Sequence, residues 1–245
     1  MNYEEVKEKF LEYVDSFDLS DQKITSKREH SICVGFLAKI LANRLNLNEE
    51  ETELISVIGI LHDIGRFKQL EKYHTFSDLN SIDHGDLGVK LLFEDGMIRK
   101  FIDTNKYDEI IYDAIKYHNK YKIANRIKDT SLKFCKMIRD IDKIDIFRVL
   151  TNNHSCSLLG EIPEDALKSF YGKQGICWTK NDSKTKELMG NISFIFDLNF
   201  NESIDILNDN RYFKDFIDSI EVDEENVREF DNIKKFISDN TNLNI

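Results

Sequence analysis

Leu54-Ile55-Ser56-Val57-Ile58-Gly59-Ile60-Leu61-His62-Asp63-Ile64-Gly65-Arg66 runs almost without a polar side chain until a histidine and an aspartate stand side by side. Its apolar residues occupy every helical azimuth rather than one stripe, which predicts a helix from Glu49 to about Ile64 whose second half is buried on every side. Asn48, with Glu51 three residues on, predicts a reciprocal N-cap at its start, and Gly65 is placed to stop it. An unpaired charge at the end of so apolar a helix would cost on the order of several kcal/mol. Asp63 must therefore be hydrogen-bonded, ion-paired or bound to a metal.

Outward from this stretch the helical period continues. Val6, Phe10, Leu11, Val14 and Phe17 predict a helix over Tyr3 to Phe17, and Ile32, Phe36, Ile40 and Leu41 form a stripe on a longer one, Thr25 to Leu45. Residues 66–83 read as a loop or broken turn. Helices are expected near 85–103, 107–119 and 130–150. Beyond Leu150 the pattern loosens, and 164–171, 184–198, 203–220 and 223–240 read as shorter amphipathic helices. The expected architecture is all-α, a helical domain over residues 1–150 with a C-terminal helical extension over 151–245 packed on it. The single Pro and ten Gly among 245 residues agree, since helices exclude the first and turn-rich β folds use the second.

Composition excludes several function classes. A net charge of −11 with no basic cluster argues against duplex nucleic acid as a partner. The apolar run is far short of the ~20 residues that span a bilayer, and the polar start MNYEEVKEKF carries no signal-peptide core. Cys33, Cys135, Cys156 and Cys177 form no CxxC pair, so neither a zinc ribbon nor a redox motif is on offer, and free thiols point to the cytoplasm.

The doublet has company. Of six histidines, His30 heads the long second helix, His84 stands at a helix start in Asp83-His84-Gly85-Asp86, and His118 ends the apolar-patterned stretch Ile110 to Tyr117. The stretch Ile138-Arg139-Asp140-Ile141-Asp142-Lys143-Ile144-Asp145 carries acids where a core face should be. Imidazole and carboxylate suit Fe, Mn, Ni, Co or Zn, and a cluster drawn from several helices is how helical bundles build metal sites. Asp140 and Asp142 lie about 200° apart on a helix, so they cannot both face one ion.

The order His30, His62-Asp63, then a late Asp142 resembles the HD superfamily of metal-dependent phosphohydrolases, over roughly residues 25–150. The resemblance implies an all-α core holding one or two divalent transition metals per chain. One would be bound by His30, His62, Asp63 and Asp142, and a second by Asp63, His84 and His118, with Asp63 bridging. It implies hydrolysis of a phosphomonoester or phosphodiester in a nucleotide or related small molecule, through a metal-activated water. The two extra histidines are similar to those of bacterial HD hydrolases that split dinucleoside polyphosphates, and in part to HD-GYP cyclic-dinucleotide phosphodiesterases. From the latter this chain departs: it has no Gly-Tyr-Pro segment, and Tyr117-His118-Asn119 holds one histidine where they carry two. The same ligands would serve an HD-fold di-iron oxygenase, and the scaffold a non-catalytic nucleotide-binding protein.

Asp63, Arg66 and Lys143 are the candidate catalytic groups: Arg66 to grip a phosphate bidentately, Lys143 to contact substrate or the leaving oxygen. His74 and His154 read as surface histidines. Trp178, Phe194, Phe196 and Phe200 read as core of the extension.

Overall fold

The computed structural model describes residues 1–152 and 156–245; His154 lies outside the described residues. The chain is helical, as its period implies, and forms two compact units, Met1–Asp142 and Lys143–Ile245.

The first unit begins with α1 (Tyr3–Val14), α2 (Gln22–Arg44) and α3 (Glu49–Leu61). The capping box opens α3: Glu51 N donates to Asn48 Oδ1 at 2.9 Å, and Asn48 N to Glu51 Oε2 at 3.4 Å. From Leu54 to Leu61 every residue of α3 is buried, because other helices cover all its faces. The face that α2 buries is not the stripe Ile32-Phe36-Ile40. Phe36 is 60% exposed; Leu41 of the expected stripe is buried, together with Ile24, His30, Ser31, Val34, Gly35, Leu37, Ala38 and Ala42. Small residues decide this. A Cβ on Gly59 would stand 3.0 Å from both Gly35 Cα and Val34 O, so α2 and α3 meet backbone to backbone. That crossing lies just over one turn from His30 and just under one turn from His62.

Gly65 does not end the buried helix. The chain turns earlier, at His62-Asp63, where Asp63 takes φ −100°, ψ 16°, and a new helix α4 (Ile64–Tyr73) follows with Phe67 and Leu70 inside. The loop expected over 66–83 is therefore confined to the residues after Tyr73. Gly65 instead allows a close approach: its missing Cβ would fall 2.3 Å from His84 O and 2.7 Å from Gly88 N. Both atoms belong to α5 (His84–Val89), so this contact seats His84 beside Asp63.

The single helix expected over 85–103 is broken. After α5 come a π-type turn (Lys90–Glu94), Gly96 at φ +75°, and α6 (Ile98–Phe101). Then follow α7 (Asp108–Tyr117) and α8 (Asp129–Asn152), within which the boundary between the units falls. Phe10, Tyr13, Phe17, Phe67 and Phe101 make an edge-packed aromatic cluster in the first unit.

The second unit adds α9 (Glu164–Tyr171), α10 (Lys184–Ser193), α11 (Asn201–Asn210), α12 (Tyr212–Asp218) and α13 (Val227–Asn240). Arg211 at φ 58° splits what the sequence reads as one helix over 203–220. Two two-residue strands, β1 (Ser157–Leu158) and β2 (Glu221–Val222), pair in parallel. Phe170 packs on Phe196 and Phe236, and Trp178 covers Gly190 and Phe194.

Candidate metal centre

Two helix ends present histidine in the same way. His62 is the C-cap of α3 and His118 the C-cap of α7. The last carbonyls of a helix have no amide partner of their own. Each ring uses one: His62 Nδ1 lies 2.6 Å from Gly59 O, and His118 Nδ1 2.7 Å from Ile115 O. A carbonyl only accepts, so Nδ1 carries the proton and Nε2 is left with its lone pair. His84 is fixed likewise by Asp78, with Nδ1 2.6 Å from Oδ2. Buried Arg139, on α8, donates to the carbonyls of Tyr117 (3.1 Å), His118 (3.4 Å) and Lys120, pinning the segment that bears His118.

The free nitrogens converge on Asp63. Its Oδ2 lies 3.6 Å from His30 Nε2 and 3.6 Å from His62 Nε2. Its Oδ1 lies 3.3 Å from His84 Nε2 and 3.6 Å from His118 Nε2. Asp142 completes the first side, with Oδ1 3.1 Å from His30 Nε2 and 3.5 Å from His62 Nε2. Asp142 joins these groups of potential metal donors and Asp140 does not. Two ligand atoms about 2.1 Å from one first-row ion, at 90–120°, stand about 3.0–3.6 Å apart. The measured separations match.

Two observations fit a cation here. His62 Nε2 is buried with no hydrogen-bond partner among the described residues. His84 Nε2 and His118 Nε2 stand 2.9 Å apart, close to the separation of two ligands on one ion. Burial holds His62 below the usual histidine pKa, and burial, then Arg66, push His84 down to about 4, so both rings stay neutral ligands near pH 7. Burial alone would raise the pKa of Asp63, but Lys27 and the surrounding imidazoles outweigh it and hold the group ionised. The donor set fits a divalent transition metal.

The remaining candidates are placed as follows. Arg66 Nη1 donates to Asp78 Oδ1 (2.9 Å), Gln69 Oε1 (3.0 Å) and Phe76 O, while its Nε sits 3.7 Å from Asp63 Oδ1. Lys143 belongs to the second unit, where its ammonium is 2.8 Å from Asp197. His74 is the exposed C-cap of α4 and lines a cavity of about 500 Å³ that includes none of the metal donors.

Sequence reading missed Lys27 and Asp78. Lys27 Nζ lies 2.7 Å from Asp63 Oδ2; its signal was its place three residues before His30, on the same helical face. Asp78 had none, because only the fold of the loop brings it to His84.

Comparison with known proteins follows the same lines. The family model described as HD domain matches residues 28–154. The chain is 27% identical over 124 residues to the 3'3'-cGAMP-specific phosphodiesterase 1 of Vibrio cholerae serotype O1. That alignment takes in 49% of this chain and 27% of the relative, so the chain spans only a part of that protein's length. No solved structure matches.

Proposed function

The chain belongs to the HD domain family, and from that premise we propose that it is a metal-dependent phosphohydrolase acting on a phosphate ester of a nucleotide or a related small molecule. The observation that carries the reading is the division of the Asp63 carboxylate, Oδ2 towards His30 and His62, Oδ1 towards His84 and His118. Two half-sites that share one carboxylate suit a pair of cations. His30, His62, Asp63 and Asp142 would hold one, and Asp63, His84 and His118 the other. Fe, Mn, Ni, Co and Zn all suit these ligands. Bound there, the metals would supply hydroxide near neutral pH and offset charge on the phosphoryl oxygens.

The chain's own residues do the rest. His62, His84 and His118 are donors whose ring angles are set before anything binds, so little reorganisation remains. Neutral ligands also leave net positive charge for an anionic substrate. Arg66 Nε is buried without a hydrogen-bond partner among the described residues, and in this reading donates to a phosphate oxygen. Lys27, 22% exposed, holds a second positive charge at the rim. The matched relative is named for a cyclic dinucleotide, which supports placing nucleotide phosphodiesters among the candidate substrates.

The test is phosphate or nucleotide release by metal-replete protein from cyclic dinucleotides, dinucleoside polyphosphates and nucleoside monophosphates. His62→Ala and Asp63→Ala should each lose more than the ~10–100-fold that removal of an outer partner of a metal ligand costs. Turnover should persist without oxygen. Full activity in both variants contradicts the reading.

A further inference from the structure

His62 and His118 anchor Nδ1 on carbonyls of their own helices, but His84 anchors it on a side chain from the loop before it. That side chain, Asp78, sits in a single 3₁₀ turn, Asp78–Asn80. Its carboxylate is worked on both oxygens. Oδ1 accepts from Arg66 Nη1 at 2.9 Å and Gln69 Nε2 at 2.8 Å. Oδ2 meets His84 Nδ1 at 2.6 Å and accepts from Asn119 Nδ2 at 3.3 Å. One group thus joins α4, the first residue of α5 and the residue after His118. Gln69, fully buried, also reaches Ser81 Oγ and Ile82 O, at 2.9 and 2.8 Å, fixing the same loop from beneath.

We infer that Asp78 is a positioning residue for the second half-site. It holds His84 in the tautomer and ring angle that aim Nε2 at Asp63 Oδ1, and so governs occupancy of the position built from Asp63, His84 and His118. It touches no metal and no substrate. Its effect is selective, because its recorded partners, His84, Asn119, Arg66 and Gln69, gather on the His84 side of Asp63. A carboxylate behind an imidazole also makes the ring a better donor, as carboxylate–histidine–metal arrangements do. The loop over residues 74–83 thereby becomes a determinant of how many metals the chain holds. This inference rests on the two-metal reading of the preceding section.

The experiment is a calorimetric titration of metal-free full-length protein with Co²⁺ alone, for wild type, Asp78→Ala, Asp78→Asn and His84→Ala, with thermal melting of each metal-free protein alongside. Wild type should take about two equivalents. Asp78→Ala should keep the first at wild-type affinity and weaken the second ~10–100-fold, in the direction of His84→Ala. Asp78→Asn, whose amide oxygen still accepts from Nδ1, should lose less. Two unchanged equivalents in Asp78→Ala would overturn the inference. So would parallel weakening of both equivalents with a lowered melting temperature, since Asp78 would then serve the fold. If Asp78→Ala does not fold, the near-isosteric Asp78→Asn decides between the same outcomes. Fewer than two equivalents in wild type would instead fail the two-metal reading itself, and the inference with it.

Discussion

At the scale of single residues, the site depends on helix ends more than on helix faces. His62 and His118 stand where a helix has run out of amide partners, and each turns an orphan carbonyl into a tautomer clamp. Arg139 finishes that work at α7, placing one guanidinium on the carbonyls of Tyr117, His118 and Lys120. Replacing it with leucine leaves buried acceptors unpaired, so Arg139→Leu should cost about 2–3 kcal/mol. Urea unfolding of the metal-free protein checks this, and a change below about 0.5 kcal/mol, the scale of an ordinary surface substitution, would contradict it. The doublet and the outlying histidines were legible in the sequence because charged or polar groups are conspicuous among apolar neighbours. Lys27 was harder to read: its place three residues before His30 is a signal, but a lysine in Lys27-Arg28-Glu29 looks like any solvated helical face. Asp78 was invisible for another reason: its partner is reached only after the chain reverses.

At the scale of elements, two close approaches set the geometry. Gly35 against Gly59 brings α2 and α3 together near His30 and His62, and Gly65 against α5 brings His84 to Asp63. Periodicity announces buried helices through large side chains, so α3 was plain to read and its Asn48-Glu51 cap with it. It says less where small residues make the contact. The buried face of α2 is carried by Ser31, Gly35, Ala38 and Ala42 as much as by leucines, which is why the stripe through Phe36 misled. α4 was missed because a glycine that permits packing looks the same in sequence as one that ends a helix. Gly65→Ala separates those roles. A methyl 2.3 Å from His84 O forces backbone apart, so the substitution should destabilise by about 1–3 kcal/mol, the usual cost of overpacking. It should also weaken metal binding at His84. A helix-ending role would cost no metal affinity, and unchanged metal binding with unchanged stability would rule out the close approach.

At the scale of the whole molecule, an acidic chain places its positive charge sparingly. The net charge is −11, yet Lys27 and Arg66 both lie beside Asp63. In the proposed reading, attraction of an anionic substrate falls to the metal centre and its two neighbours rather than to a basic surface. Among the described residues no helix is long and apolar enough to cross a membrane. The second unit contributes its own aromatic core, and the sequence period located most of its helices while missing the break at Arg211, whose left-handed backbone no hydrophobic pattern encodes. The most direct test of a shared Asp63 is elemental analysis of metal per chain, on protein purified without chelator or oxygen, for wild type and His118→Ala. Two half-sites predict about two equivalents in wild type, falling to about one in the variant; one equivalent in both proteins, or none in either, would contradict them.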